Sequence, residues 1–139
     1  MAANVLDRFE FRSVKANEAE EVAEIEKICF PPHEVCSKKD MFERVEHAPE
    51  LFLVAVDKET GTIAGFLNGL ATDEEAFRDE FFTDITVHNP EGKNIFILGL
   101  DVRPEYRRQG LAREIMNQYI KREQVNGRKM LKLTCLNRK

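Results

Sequence analysis

Apolar and polar residues alternate over residues 9–14, which is the pattern of a half-buried β-strand. After this segment, Asn17 and Glu20 form a capping-box pattern, and apolar residues at helical spacing follow it. The apolar face of that helix comprises Val22, Ile25, Ile28 and Cys29. Pro31 and Pro32 end the helix, because proline lacks the N–H group that a helix needs. The pattern therefore predicts a first strand followed by a first helix.

A second helix and a β-hairpin follow in the pattern. Ser37 is a good N-cap residue, and the helix that it starts is predicted to end near Pro49. Residues 51–56 and 62–70 are apolar and flank a polar, glycine-containing turn, which predicts two hairpin strands. Residues 81–87 fit a helix or a strand equally well, and the pattern does not decide between them.

The last third of the chain carries the clearest pattern. Asn94–Val102 is apolar and β-prone, as a central strand is. A long amphipathic helix is predicted over residues 110–126, and a final strand over 129–136. The predicted buried stripe of that helix is Leu111, Ala112, Ile115, Met116, Tyr119 and Ile120. The order of elements predicts one mixed α/β domain over residues 1–139.

Composition narrows the function classes. The 139 residues are 42% hydrophobic and 33% charged, with a formal net charge of -4, which argues against nucleic-acid binding. No apolar run approaches the ~18 residues of a membrane helix, so no membrane association is expected. The three cysteines are odd in number and lack metal-ligand spacing; they are Cys29, Cys36 and Cys135. This cysteine usage predicts a cytoplasmic protein with reduced thiols and no metal site.

The segment between the central strand and the long helix carries candidate phosphate chemistry. A helix N-terminus presents unpaired N–H groups and a partial positive charge, and a pyrophosphate satisfies both. Gly110 lets the backbone approach a phosphate because it has no Cβ, and Ala112 keeps the contact open. Positive charge is added by Arg107, Arg108 and Arg113. The alternative is a solvated basic turn that only starts a helix.

Residues 98–113, with the sequence Leu-Gly-Leu-Asp-Val-Arg-Pro-Glu-Tyr-Arg-Arg-Gln-Gly-Leu-Ala-Arg, resemble motif A of the GNAT acetyltransferases. The core of that motif reads Gln/Arg-x-x-Gly-x-Gly/Ala. Three further segments, at residues 30–34, 86–92 and 133–135, are similar to the arylalkylamine N-acetyltransferase branch. The resemblance implies the GNAT fold, a mostly antiparallel central sheet with helices on both faces.

The resemblance also implies acetyl-CoA as cofactor and a place for it. The pantetheine arm would pair with the main chain of Leu100 and Val102, on either side of Asp101, and the pyrophosphate would lie on the loop that follows. The cofactor-binding residues so implied are Leu100, Asp101, Val102, Arg107, Arg108, Gln109, Gly110, Leu111, Ala112 and Arg113. The acetyl carbonyl would lie near residues 98–100, where a backbone N–H can polarise it.

The sequence departs from the family pattern in two places. Phe96 and Leu98 stand where the arylalkylamine branch carries two histidines that help to take the amine's proton. The helix that follows the last strand in the family, with a tyrosine that protonates the CoA thiolate, is absent from the 139 residues. The expectation from this second departure is a GNAT domain whose C-terminal part is missing.

Direct attack needs a neutral amine, so a base must take a proton from an ammonium with a pKa near ~10. His33 and Glu34, on the loop between the first two helices, are the candidate catalytic residues, because in this family that loop lines the acceptor site. Phe30, Pro31, His33 and Glu34 are the predicted substrate-contacting residues. The alternative for His33 and Glu34 is a surface residue and a helix-start acid.

The function predicted from these features is transfer of acetyl from acetyl-CoA to a primary amine, a small aryl- or alkylamine. Two alternatives stay open at this point. One is acetylation of a protein or peptide amine, and the other is a CoA-binding module without catalysis. A homodimer is also predicted, because a sheet that ended with residues 129–136 would leave an apolar edge uncovered.

Overall fold

The computed structural model describes residues 5–33 and 35–133. Its helices are α1 (Val5–Arg8), α2 (Ala19–Cys29), α3 (Lys38–His47), α4 (Glu80–Thr83) and α5 (Leu111–Val125). Its strands are β1 (Phe9–Ser13), β2 (Phe52–Asp57), β3 (Ile63–Thr72), β4 (Asn94–Val102) and β5 (Met130–Leu133). Short 3-10 turns occur at Ala16–Glu18, Pro49–Leu51, Ile85–Val87 and Pro104–Tyr106.

The five strands form one sheet in the order β1-β2-β3-β4-β5. The first three pairings are antiparallel, and β4 pairs with β5 in parallel. A parallel neighbour needs a crossover, which α5 provides between β4 and β5. The mixed, mostly antiparallel sheet predicted from the sequence is confirmed.

Helices cover both faces of the sheet. On one face α5 packs through Leu111, Ile115 and Tyr119 on apolar residues of β2, β3 and β4. On the other face α2 and α3 pack through residues such as Ile25 and Met41 on β2 and β3. Every residue of β2 and β3 is buried, because both faces of these central strands are covered.

The start of α2 differs from the sequence prediction. Asn17 does not cap the helix; it lies in a 3-10 turn, and the α-helix begins at Ala19. The Glu18 carboxylate accepts a hydrogen bond from the Lys15 N–H at 2.8 Å and is ion-paired with Arg12 at 2.6 Å. These contacts hold residues 16–18 in a tighter turn than an α-helix, and the predicted capping box with Glu20 does not form.

Two further segments refine the pattern. Residues 81–87, left undecided by the sequence, contain the end of α4 and a 3-10 turn, and Phe81 and Ile85 are buried. Ala112 was predicted on the buried stripe of α5, and this is wrong, because Ala112 is exposed. The stripe comprises Leu111, Ile115, Tyr119 and Glu123. In the first turn of α5, Leu111 is buried while Ala112 and Arg113 are exposed.

The predicted cap of α3 is confirmed and gives a stability test. The Ser37 side chain accepts a hydrogen bond from the Asp40 N–H at 3.1 Å. We expect Ser37→Ala to lower the free energy of unfolding by about 1 kcal/mol, because it leaves a helix N–H without its partner. Urea unfolding of the two proteins measures this, with Ser37→Asp as a control that restores the cap. Equal stability of Ser37→Ala and the unmodified chain would contradict the capping role.

Candidate functional site

The outer edge of β4 is the first element of the site. Arg103 donates its N–H to the Ala64 carbonyl of β3 at 2.8 Å. Main-chain N–H and C=O groups alternate in direction along an antiparallel pair. Those of Asp101 therefore also point toward β3, whereas those of Leu100 and Val102 point away from it. The pairing also slips by one residue between Asn68 and Gly69, which leaves a β-bulge in β4. Such bulges bend a strand and re-aim its groups.

The pairing of β4 with β5 runs from Asn94↔Met130 to Ile97↔Leu133. Among the residues that the structure describes, positions 99–102 of β4 pair with β3 alone. The main chain of Leu100 and Val102 therefore lies at a strand edge that an extended ligand could extend by backbone hydrogen bonds. Part of this capacity is used within the chain, because the Val102 carbonyl accepts a bond from Arg107 Nε at 3.0 Å.

The N-terminus of α5 is the second element. Gly110 is the N-cap residue with φ 80°, the left-handed region that favours glycine. A Cβ at this position would have no atom within 4 Å, so the space in front of the helix is open. Within residues 5–33 and 35–133 no side chain caps α5, and the first-turn N–H groups of Leu111, Ala112 and Arg113 have no intrahelical partner. The arrangement suits an anion.

The basic residues around this terminus have different roles. Arg108 has φ 65°, which turns the chain sharply before the helix, and its side chain is exposed. The exposed Gln109 and Arg113 flank Gly110 and Ala112. Arg107 instead folds back on β4, where its Nη2 also lies 3.6 Å from the Cys29 Sγ. Residues 100–102 thus lie at the end of β4, and residues 107–113 lie in the segment that leads into α5 and in its first turn.

A buried polar cluster lies on the α2 and α3 face of the same strand, and the sequence pattern did not reveal it. Its members are Glu26 of α2, Arg44 of α3, Asn68 of β3 and Asp101 of β4, each no more than 6% exposed. Arg44 donates to Asn68 Oδ1 at 3.1 Å and to the Phe82 carbonyl at 2.8 Å. The available signal was the presence of Asn68 and Asp101 inside otherwise apolar strands, where an unpaired polar group is costly.

The Asp101 carboxyl is held in its neutral form. Burial raises its pKa far above the usual range, and hydrogen bonding and charge from the adjacent Glu26 raise it further. Arg44 and Arg107 oppose this rise without cancelling it. Cys29 and Cys36 are the other titratable groups that interact with Asp101. The Asp101 carboxyl therefore keeps its proton at neutral pH.

The loop predicted to contact the substrate lies after α2. Phe30 is partly buried, while Pro31 and His33 are exposed. Glu34 lies outside the described residues. A groove of about 440 Å³ lies between this loop and α2. The residues that line it include Ala23, Lys27, Phe30, Pro32, Val35 and Cys36. The groove is mainly apolar with charged residues at its rim.

Tyr106, Tyr119 and the two described cysteines are held within the fold. The Tyr119 hydroxyl donates to the Leu51 carbonyl in the core, as its place on the buried stripe predicts. The Tyr106 hydroxyl donates to Asp57 at 2.7 Å. Burial raises the pKa of the Cys29 thiol above its usual value. Burial also raises the pKa of Cys36, to about 11. Both thiols are therefore protonated and weak nucleophiles. Cys135 lies outside the described residues.

Comparison with known families identifies this arrangement. Residues 19–138 match the Acetyltransferase (GNAT) family. The chain belongs to that family. The matched residues include the strand edge at Leu100 and Val102 and the N-terminus of α5. The match agrees with the resemblance of residues 98–113 to motif A.

Solved GNAT structures share the fold at low sequence identity. The loading GNATL domain of CurA from Lyngbya majuscula superimposes with a TM-score of 0.81 at 15% identity, over 94% of this chain and 66% of that one. Diaminobutyrate acetyltransferase EctA from Paenibacillus lautus, in complex with L-2,4-diaminobutyric acid and coenzyme A, gives a TM-score of 0.65 at 17% identity. That match covers 91% of this chain and 65% of the EctA chain.

A curated relative extends well beyond this domain. The probable hydrolase YhcX of Bacillus subtilis is 28% identical in an alignment of 121 positions that covers 79% of this chain but 23% of that protein. This GNAT chain thus spans less than a quarter of the curated relative that it matches.

Two kinds of feature are absent from the part of the chain that the structure describes. No helix there is long and apolar enough to cross a membrane. Nor do its His, Cys, Asp and Glu side chains form a group of three or more that could hold a metal ion.

Proposed function

We propose that this GNAT chain transfers an acetyl group from acetyl-CoA to a primary amine, a small aryl- or alkylamine, by direct attack. The observation that carries the proposal is the junction of an outward-facing strand edge at Leu100 and Val102 with the open N-terminus of α5 at Gly110. An extended arm that ends in a pyrophosphate needs both features side by side. The EctA structure, with coenzyme A and a diamine in its complex, supports this ligand pair by analogy.

The residues present fit the phosphate part of acetyl-CoA. A Cβ at Gly110 would stand in open space, so a phosphate can approach the main chain there. The N–H groups of Leu111, Ala112 and Arg113 would donate to it, and the side chains of Arg108, Gln109 and Arg113 would add charge and donors. When bound, acetyl-CoA supplies a thioester, whose carbonyl carbon an amine attacks.

The strand edge would hold the pantetheine arm. The Leu100 and Val102 peptide groups face outward beside Asp101 and would pair with the amides of the arm, as an added strand does. Arg107 donates to the Val102 carbonyl, so its guanidinium must turn aside for pairing at that residue. Released in this way, it would lie beside the phosphates as a further cation.

The amine would enter from the loop after α2. We propose that Phe30 and Pro31 contact its apolar body and that His33 or Glu34 accepts its proton. His33 is exposed on this loop, and histidine is the side chain whose ordinary pKa best suits a base near neutral pH. The apolar groove beside Phe30 supports an acceptor with an apolar body.

A non-catalytic acyl-CoA-binding module is the second candidate. Phe96 is buried in an aromatic cluster with Phe77 and Phe81, so β4 supplies no proton acceptor at that position. Such a module would bind acetyl-CoA through the same strand edge and helix terminus and release no CoA. An acceptor on a peptide or protein would use the same chemistry on a larger amine.

A free-thiol assay separates these candidates. We expect release of CoA when the protein is given acetyl-CoA with a panel of small aryl- and alkylamines, and slower release with peptides that have a free N-terminus. A flat thiol signal with calorimetric uptake of acetyl-CoA would assign the binding module instead. Faster release with peptides would move the acceptor to the peptide class. No uptake at all would contradict both candidates.

A further inference from the structure

Three buried polar atoms in the sheet have no hydrogen-bond partner within residues 5–33 and 35–133. They are Asn68 Nδ2 and the two carboxyl oxygens of Asp101. Protonation of Asp101 lets one of these oxygens donate to the adjacent Glu26, which leaves the Asn68 N–H and the other Asp101 oxygen without a partner. Both side chains are 1% exposed. Buried polar groups in native proteins are nearly always paired, so an orphan set of this kind indicates that a ligand or a water completes it.

Two of these atoms, Asn68 Nδ2 and Asp101 Oδ1, lie near one point above Gly99. A Cβ placed on Gly99 would lie 3.5 Å from Asn68 Nδ2 and 3.5 Å from Asp101 Oδ1, with no other contact this close. The glycine therefore leaves room for one heavy atom between the two polar groups. Gly99 is partly exposed and lies in the bulged part of β4, next to the outward-facing peptide group of Leu100.

The Arg44 guanidinium fixes the orientation of the Asn68 amide. Arg44 Nη1 donates to Asn68 Oδ1, so the amide oxygen is used and the Nδ2 donor faces the space above Gly99. Arg44 is itself buried and held by the Phe82 carbonyl, which keeps the amide in place. The site thus offers a preorganised N–H donor beside a neutral carboxylic acid.

We propose that Asn68 and Asp101 form a buried hydrogen-bonding subsite above Gly99 for the carbonyl oxygen of the acyl group on CoA. Asn68 Nδ2 donates to that oxygen, and Asp101 provides the second polar neighbour. The inference deepens the proposed function and rests on it, because the acyl group must lie at the β4 bulge. Donors fixed where negative charge develops on a carbonyl oxygen stabilise the tetrahedral intermediate of acyl transfer.

A carbonyl oxygen fits these groups better than an ammonium does. An ammonium has no acceptor atom, so it would leave the Asn68 N–H unpaired in a buried place. An oxygen that gains negative charge is instead favoured by the Asn68 donor and by the nearby Arg44 guanidinium. An ionised Asp101 would repel that oxygen, and its neutral form does not.

The test measures binding of two stable CoA derivatives by calorimetry. One is a ketone analogue of acetyl-CoA in which a methylene replaces the thioester sulfur, and the other is S-ethyl-CoA, which lacks the carbonyl oxygen. We expect the unmodified chain to bind the ketone analogue about 10-fold more tightly, the equivalent of one hydrogen bond.

Two variants locate the preference. In Gly99→Ala the added methyl fills the space at ordinary contact distance from Asn68 and Asp101, so the fold should persist. In Asn68→Asp the acceptor for Arg44 is kept and the donor is lost. We expect both to bind the two derivatives equally, with S-ethyl-CoA affinity within about 3-fold of the unmodified chain. The melting temperature shows whether each variant folds. If Asn68→Asp does not fold, the binding preference of Gly99→Ala alone decides the test.

The outcomes separate the two proposals. Equal affinity of the unmodified chain for both derivatives, or a preference that survives Gly99→Ala, would overturn the carbonyl subsite and leave CoA binding in place. Failure of the unmodified chain to bind either derivative would overturn the proposed function, and the subsite with it. A carbonyl preference lost in Gly99→Ala supports both.

Discussion

Gly110→Asp is expected to weaken acetyl-CoA binding by about 100-fold or more. The aspartate would place a carboxylate in the open space in front of α5, where it would repel phosphates and occupy the space that they need. Its own negative charge would also satisfy the helix terminus that an anion otherwise would. Calorimetric titration of acetyl-CoA into the variant and the unmodified chain measures the loss.

A matched control removes the effect of backbone strain. Gly61, in the turn between β2 and β3, also has a positive φ, 74°, and a Cβ added there would meet no atom within 4 Å. Gly61→Asp therefore costs a similar strain, about 1 kcal/mol of stability, at a distant place. We expect it to bind acetyl-CoA as the unmodified chain does. Equal affinities of Gly110→Asp and Gly61→Asp would show that the terminus of α5 does not hold the cofactor.

Asp101→Asn is expected to stabilise the fold in a pH-dependent manner. The folded-state pKa of Asp101 is raised above its unfolded value, mainly by burial and next by Glu26. The contribution of Asp101 to the free energy of unfolding is therefore fully present below the unfolded pKa of about 3.9. It is lost as the pH rises from that value toward the folded-state pKa. Asparagine has no proton to lose, and its amide can still donate to Glu26, so the variant avoids this loss.

Urea unfolding at several pH values tests this expectation. At pH 4 the two proteins should have similar stability, and by pH 8 the variant should be more stable by roughly 2–4 kcal/mol. Asp84→Asn is a useful control, because that carboxyl is exposed and its pKa is lowered by hydrogen bonds from Thr86. Its effect on stability should have the opposite sign. A difference for Asp101→Asn that does not change with pH would show that Asp101 is ionised in the fold.

The two experiments bear on different parts of the site. Gly110 tests the phosphate end of the ligand, where main-chain groups and arginines act. Asp101 tests the buried end, where burial sets the charge of the groups around Gly99. Loss of acetyl-CoA binding in the first test supports the phosphate site. A pH-dependent gain of stability in the second shows that Asp101 is neutral in the fold.

The strands and the start of α5 could be predicted because their signals are local. Alternation over residues 9–14 and the apolar run of Asn94–Val102 reflect how strands bury their faces. Ser37 could be assigned as a cap because capping depends on an N–H three residues away. Gly110 could be placed at the start of α5 because an amphipathic pattern begins directly after it.

Local signals were insufficient at α2 and at the first turn of α5. Asn17 has the right residue type for a cap, but the ion pair between Glu18 and Arg12 fixes a different turn. At α2 a contact between elements thus outweighs a capping preference that is worth about 1 kcal/mol. Ala112 has the right spacing for the buried stripe, but it lies on the exposed side of α5, and the sequence spacing alone does not fix where the edge of the buried face falls.

The sequence by itself determined the order of the elements, the family resemblance of residues 98–113 and the basic loop before α5. Only the tertiary structure decided which peptide groups of β4 face outward, since that depends on the register with β3. It also assembled Glu26, Arg44, Asn68 and Asp101, which come from four different elements. A polar residue in a strand shows its role only when its neighbours are known, because burial and pairing together set its charge and its free hydrogen-bonding capacity.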